Sequence, residues 1–397
     1  MELSQRVRQI APSATLAMDA KAKQMEKDGF EVVNFTVGEP DFDTPKFVKE
    51  GAQRAIEEGF TKYTAAAGIM ELRQAICKKL KDDNGLDFKP NQIVTSNGAK
   101  HSLYNSYQAL CNPGDEVILQ APYWVSYPEI IRLAGGVPVV IETGEKDGFK
   151  MTPAAIEAKL TKKTKVINLN SPGNPTGAMY NAAELKAIAD LAVAHNLYVV
   201  SDEVYEKLVY DGLTHTSIAS FGPEIKARTV VINGLSKAYA MTGWRMGYCA
   251  CEPELAQAMS NLQGHMTSNP SSITQRASLT ALTGPQEFVR EMVKEFARRR
   301  DYMVERIKTL PGFSTVTPRG AFYVFPSVKG WIGRTAGGVK IKTADDLSAL
   351  ILEKAQAATV PGSGFGAPDY IRFSYSTSMQ RIKVGFDRIE KVLKELW

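Results

Sequence analysis

Three short apolar runs constrain the chain most: Lys165-Val166-Ile167-Asn168-Leu169-Asn170, Leu197-Tyr198-Val199-Val200-Ser201 and Thr229-Val230-Val231-Ile232-Asn233. Each is β-rich and too short for a helix, and amphipathic helical patterns alternate with them from about Phe47 to about Leu282. That alternation predicts an α/β fold with a mostly parallel sheet wrapped by helices. In open parallel sheets ligands bind outside the carboxyl ends of the strands, so the loops that follow these runs are expected to converge on one pocket.

The third run leads into Gly234-Leu235-Ser236-Lys237-Ala238, with Arg245 eight residues beyond the lysine. Most lysines in a soluble chain are solvated surface residues. A primary amine becomes a covalent catalyst when burial or a neighbouring cation lowers its pKa, and Arg245 is placed to supply that cation. Ser236 offers a hydroxyl and Arg245 a bidentate fork, while small flanking residues let backbone N–H groups approach a phosphate. A lysine beside a phosphate site points to pyridoxal 5′-phosphate, whose aldehyde forms a Schiff base with such an amine. That cofactor needs an acid partner for its ring nitrogen and a donor to its ring oxygen. Asp202 closes the second run and Tyr205 follows three residues later, although an aspartate at a strand end is often only a helix cap. The first run enters Ser171-Pro172-Gly173-Asn174-Pro175-Thr176-Gly177, where two prolines fix φ and hold the Asn174 amide at a set angle; an ordinary strand-to-helix turn is the plainer reading.

These residues, with Gly38-Glu39-Pro40-Asp41-Phe42, Lys62-Tyr63, Asn97-Gly98-Ala99-Lys100, Pro122-Tyr123-Trp124 and Arg372-Phe373-Ser374-Tyr375, fall in the order found in one family. The chain resembles, over nearly its whole length, the class I pyridoxal-phosphate aminotransferases, in particular the aspartate aminotransferases of the bacterial and plant-plastid branch. The resemblance implies fold type I, with a large cofactor domain over 47–285 and a smaller α/β domain from 1–46 and 286–397. It implies that Lys237 carries the cofactor and shuttles the proton, and that Asp202 pairs with the ring nitrogen. Tyr205 and Asn174 would bond the ring oxygen, and Trp124 would stack on the ring. Ser236, Arg245 and the amides of Gly98, Ala99 and Lys100, at a helix start near Lys100 or His101, would hold the phosphate. Tyr63 would reach that phosphate from the partner subunit of a homodimer with shared active sites. Arg372, with the Gly38 backbone and Asn174, would bind the amino-acid α-carboxylate, and Trp124 would also contact the substrate. No arginine precedes Ser268-Asn269-Pro270, so Lys100 is the candidate for the distal carboxylate, and Thr15 and Ser13 belong to a segment expected to close over substrate. Relatives that also use prephenate tend to carry a basic residue where this chain has Ala11. Pyridoxal-phosphate lyases of the same fold share most of these residues, so the fold alone does not decide the reaction.

Composition narrows the remaining classes. With 397 residues, 44% of them hydrophobic, the chain has ample core for more than one domain. Its 48 basic and 43 acidic residues are interspersed, which gives nucleic-acid binding little support, and Arg298-Arg299-Arg300 is expected on the solvated face of a helix over 288–310. Four cysteines without metal-pair spacing suggest reduced thiols, no metal site and a cytoplasmic enzyme. No run approaches the roughly 20 apolar residues of a membrane-spanning helix. Gly362-Ser363-Gly364-Phe365-Gly366-Ala367 matches a dinucleotide fingerprint, but Pro368 follows at once and too few residues remain for a βαβ unit; a glycine-rich active-site lip is expected instead.

Overall fold

The computed structural model describes residues 2–11 and 14–397, the side chains of 14–16 excepted. Its centre is a seven-stranded sheet: β1 Ile93–Asn97, β2 Glu116–Ala121, β3 Val137–Glu142, β4 Thr164–Asn170, β5 Tyr198–Asp202, β6 Thr229–Gly234 and β7 Met246–Ala250, in the order β1-β7-β6-β5-β4-β2-β3. Only β7 runs antiparallel to its neighbours. The three apolar runs are therefore adjacent parallel strands, and the α/β class read from their pattern is borne out.

Both faces of the sheet are covered, which is why apolar residues of these strands face both ways rather than alternating with polar ones; the buried Asn168 is an exception, and its Oδ1 accepts the Tyr107 hydroxyl at 2.6 Å. Val230 and Ile232 join a core with Leu103 and Tyr107 of the helix Ala99–Leu110, while Val231 turns to the opposite face and joins Leu72, Ile76 and Leu80 of the helix Met70–Asn84. The consequence for function is positional. Asn97, Asn170, Asp202 and Gly234 all end parallel strands on one edge of the sheet.

A second body packs against that edge. Val360–Pro361, Ile371–Ser374 and Tyr323–Val324 form a three-stranded antiparallel sheet, and Val33–Asn34 pairs in parallel with Ala357–Ala358. Helices Glu287–Lys308, Ala344–Ala355 and Met379–Leu396 cover them around a core that includes Phe35, Phe296, Phe322, Trp331, Phe373 and Phe386. The strand Tyr323–Val324 has only two paired residues. The helix Ala344–Ala355 is bounded by Thr343, whose side chain accepts the Asp345 N–H, and by Gln356 in the left-handed region.

One expectation is corrected. Arg298 lies on the solvated face, but Arg299 and Arg300 are buried. Arg299 pairs with Asp41 at 2.7 Å and Arg300 with Asp211 at 2.7 Å, partners 258 and 89 residues away along the chain. Buried guanidinium groups require such partners, and a charge run read locally gives no sign of them.

Arg300→Ala is expected to lower unfolding free energy by about 2 kcal/mol, since it empties a buried site and leaves Asp211 only its longer contact with Arg319 at 3.2 Å. Arg298→Ala should leave the urea midpoint unchanged. Equal effects of the two in urea unfolding would contradict the burial difference.

Candidate active site

The strand ends and the second body enclose a cavity of about 540 Å³ lined by Lys237, Asp202, Tyr205, Asn174, Trp124 and Arg372, together with Lys100, Ser236, Arg245, Ala99 and Gly38. Lys237 follows β6, and its ammonium donates to the carbonyl of Gly38, which belongs to the second body. Burial, more than any neighbour, holds the Lys237 amine down at about 8; the Arg372 guanidinium and then Arg245 act in the same direction, against Glu39 and Asp202. Sequence reasoning singled out Arg245 as the neighbouring cation, but Arg372 contributes more.

Asp202 is buried at the end of β5, and burial raises its carboxyl to about 6 despite the Tyr127 hydroxyl, which donates to Oδ2 at 2.7 Å. It is still mainly ionised at neutral pH. A positive charge arriving beside it would reinforce that ionisation. Its backbone carbonyl accepts Asn170 Nδ2 at 3.0 Å, and Asn170 Oδ1 takes the Asn174 N–H at 2.9 Å, so the first and second loops are tied together. Tyr205 Oη lies 3.0 Å from Tyr323 Oη. Tyr127, Asn170 and Tyr323 escaped the sequence reading. A buried phenol or amide needs a polar partner, and that was the only signal they carried.

Arg372, at 2% exposure, is stranger. Its Nη1 donates to Asn174 Oδ1 at 3.0 Å and its Nη2 to the Thr36 carbonyl at 2.7 Å, and its plane lies 4.5 Å from the Tyr323 ring centroid. Its Nε has no partner, and no carboxylate pairs with it among the described residues. Burying an unpaired ion costs several kcal/mol, which a bound carboxylate would offset.

The phosphate side is equally incomplete. Helix Ala99–Leu110 begins one residue before the expected position, behind Gly98 at φ 85°. A Cβ at Gly98 would run into the Arg245 guanidinium, whose Nη1 donates to the Thr242 carbonyl at 2.8 Å. The Gly98 N–H is already given to the Ser96 carbonyl at 2.7 Å. Gly98 therefore contributes space rather than a donor, and the first-turn amides of Ala99 and Lys100 are left for an anion. Arg245 itself sits at φ 58°, a conformation that costs a non-glycine residue about 1 kcal/mol or more and recurs at functional sites.

Lys100 Nζ lies 4.7 Å from the Trp124 ring centroid, and burial followed by Arg245 lowers its amine. Tyr63 is outside the cavity of the single chain and 89% exposed. Thr15 lies on the helix Ala14–Lys27, with its side chain outside the described residues; Ser13 is outside them altogether. The same helix brings Asp19 and Lys23, paired at 2.8 Å, to the cavity. The Gly362–Phe365 turn packs on the site, the Tyr123 N–H donating to the Phe365 carbonyl at 3.0 Å, as a lip rather than a dinucleotide fold.

A buried amine of lowered pKa, an acid partner, an anion cradle and an unpaired guanidinium around one cavity define a lysine enzyme for a phosphorylated aldehyde and a carboxylate substrate. The comparisons agree: residues 31–389 match the family described as aminotransferase class I and II, and the chain belongs to it. It is 46% identical over 394 residues to the aspartate aminotransferase of Geobacillus stearothermophilus, covering 99% of both chains. It is 46% identical over 396 residues to a probable aspartate/prephenate aminotransferase of Aquifex aeolicus, again covering 99% of each. The solved aspartate aminotransferase of Rhizobium meliloti superposes with a TM-score of 0.97 at 42% identity, covering 100% of both chains. The enzyme is a pyridoxal-phosphate-dependent aminotransferase, and the Gly98 cradle, the open Arg372 Nε and the low Lys237 pKa fit that cofactor and its substrates.

Gly98→Ala is expected to weaken pyridoxal-phosphate binding at least about tenfold, because a Cβ displaces the Arg245 fork. Gly59→Ala, at a comparable φ of 70° with open space around it, should bind normally. Equilibrium dialysis showing equal affinities would contradict the cradle.

Proposed function

We propose that the protein is an aspartate aminotransferase, converting L-aspartate and 2-oxoglutarate to oxaloacetate and L-glutamate. The observation that carries this is the buried, carboxylate-free Arg372 facing the same cavity as Lys237. The names of the relatives support the dicarboxylic choice.

Bound pyridoxal phosphate supplies an electrophilic carbon for the substrate amine and a sink for the electron pair left when the Cα–H bond breaks. The protein's side chains do the rest. Arg372 takes the α-carboxylate on its fork, with Asn174 steadying the guanidinium and the Gly38 backbone beside it. Lys237 Nζ, free of its proton above about pH 8 and in part below it, accepts the Cα proton and returns it on the other side of the reaction. Asp202 holds positive charge at the ring nitrogen, and Tyr205 with Asn174 bonds the ring oxygen. Trp124 covers the ring, while Ser236, Arg245 and the Ala99 and Lys100 amides hold the phosphate. Lys100 reads the distal carboxylate.

With this reading go a homodimer in which Tyr63 completes the partner's phosphate site, supported by its 89% exposure, and the division into domains of 47–285 and 1–46 with 286–397. The central sheet lies wholly within the first range and the antiparallel sheet wholly within the second. A cytoplasmic location accords with four unpaired thiols, three of them buried; no described helix is long and apolar enough to cross a membrane. A second reading, side activity on prephenate, rests on the Aquifex relative's name, and Ala11 speaks against it.

Incubation with L-aspartate and 2-oxoglutarate should yield oxaloacetate and glutamate; no transfer there, but release of pyruvate and ammonia from a β-substituted alanine such as L-cystathionine by β-elimination, would indicate a lyase instead. Arg372→Ala should reduce kcat/KM for every amino donor by roughly a hundredfold or more, as loss of a bidentate buried contact does. Lys100→Ala should selectively harm aspartate and glutamate, and equal losses for aspartate and alanine would remove Lys100 from the specificity role.

A further inference from the structure

Behind Asp202, on the side away from the cavity, lie four buried ionisable groups that the reaction above leaves idle. Glu203 Oε1 accepts the hydroxyls of Ser201 at 2.9 Å and Ser217 at 2.7 Å, and Oε2 lies 3.0 Å from His215 Nε2. Glu206 takes the Lys79 ammonium and, at 2.8 Å, the Asn84 amide. The ligating atoms of Glu203, Glu206 and His215 all fall within 4.8 Å of one another. Such a trio has the composition of a metal site, but Lys79 already supplies one of the two positive charges that two carboxylates need. A protonated His215 would supply the other, against the cost of a buried Nδ1–H that has no acceptor among the described residues.

Further charges face the cluster. Asp83, on the Met70–Asn84 helix, lies 3.7 Å from Lys79 and is paired at 2.8 Å with Lys207. Tyr239 and Tyr248 face it from the β6 and β7 side, and burial keeps both phenols neutral. Burial disfavours the His215 imidazolium, but Glu203 and then Glu206 outweigh burial and Lys79 and raise its pKa. Burial works to raise Glu206, yet Lys79 and His215 hold it at about 2. If His215 lost its proton, the Glu203 carboxylate would stand uncompensated next to Asp202, whose ionisation it already opposes.

We propose that His215, protonated and paired with Glu203, is a positioning residue for Asp202: it neutralises the carboxylate behind the 202–205 turn and ties that turn to the 213–217 loop. The proposal rests on the reading of Asp202 as partner of the cofactor's ring nitrogen. His215→Gln keeps a donor near the Nε2 position and removes the charge. Glu203→Gln/His215→Gln replaces the ion pair with a neutral one.

The tests use the holoenzyme. In nitrogen-15 NMR of the imidazoles, one of only four histidine signals, assigned by its loss in His215→Gln, should remain protonated above the ordinary value of about 6.5. His215→Gln should raise the pyridoxal-phosphate dissociation constant about tenfold at pH 7, the effect of one pKa unit at Asp202. It should also shift the acid limb of binding to higher pH, and the double variant should recover to within about threefold of the parent. A His215 that titrates below about 6.5 overturns the proposal even if the variants fail to fold. So does a His215→Gln enzyme that binds like the parent, or a double variant no better than the single. Asp202→Asn is the control: unchanged cofactor affinity there would remove the underlying reading, whereas loss there with an indifferent His215→Gln removes only the positioning role.

Discussion

An ammonium group surrounded by protein with no carboxylate paired to it is a poor cation, and among the described residues Lys237 is in that position. Burial costs its charged form solvation, Arg372 and Arg245 repel what remains, and the result is an amine near pH 8 rather than above 10. Much of the site follows from that imbalance. Arg372 is buried with no carboxylate partner among the described residues, and the amides at the start of helix Ala99–Leu110 are open to an anion. The site holds positive charge at two points that only a phosphate and a carboxylate would neutralise, with an amine of usable basicity between them.

The fold makes this arrangement possible because the main chain does the positioning. Of the adjacent parallel strands, β4 and β5 end level at Asn170 and Asp202 and β6 runs two residues further to Gly234, so Asn170, Asp202 and the turn to Lys237 meet without long side chains reaching across space. Hydrogen bonds from Asn170 to the Asp202 carbonyl and from the Asn174 amide back to Asn170 lock two of those ends together. The second body then contributes what the sheet cannot, the Gly38 carbonyl to Lys237 and the Arg372 guanidinium to Asn174.

The strands and the residues at their ends were legible because both depend on local pattern: continuous apolar runs for buried parallel strands, and glycine, proline or a lone charged residue at the loop. Tyr127 was not legible as the hydroxyl partner of Asp202, since 75 residues separate them and nothing near Tyr127 in sequence announces a carboxylate. The same holds for Arg299 and Arg300, whose run looked solvated because Asp41 and Asp211 arrive from distant segments. The Glu203–His215 pair hid in the same way, inside a turn noticed only for Asp202 and Tyr205. Local chemistry in the sequence thus marks the groups that face the cavity, and the groups that set their charge emerge only from tertiary packing.

The central claim is that the cofactor is carried by one amine, at position 237. Borohydride reduction of the purified holoenzyme followed by peptide mapping tests it directly. The account requires a phosphopyridoxyl label on the peptide containing Ser236-Lys237-Ala238, in about one equivalent per chain and absent from Lys237→Ala. A label on another lysine, or an undiminished label in that variant, would contradict it.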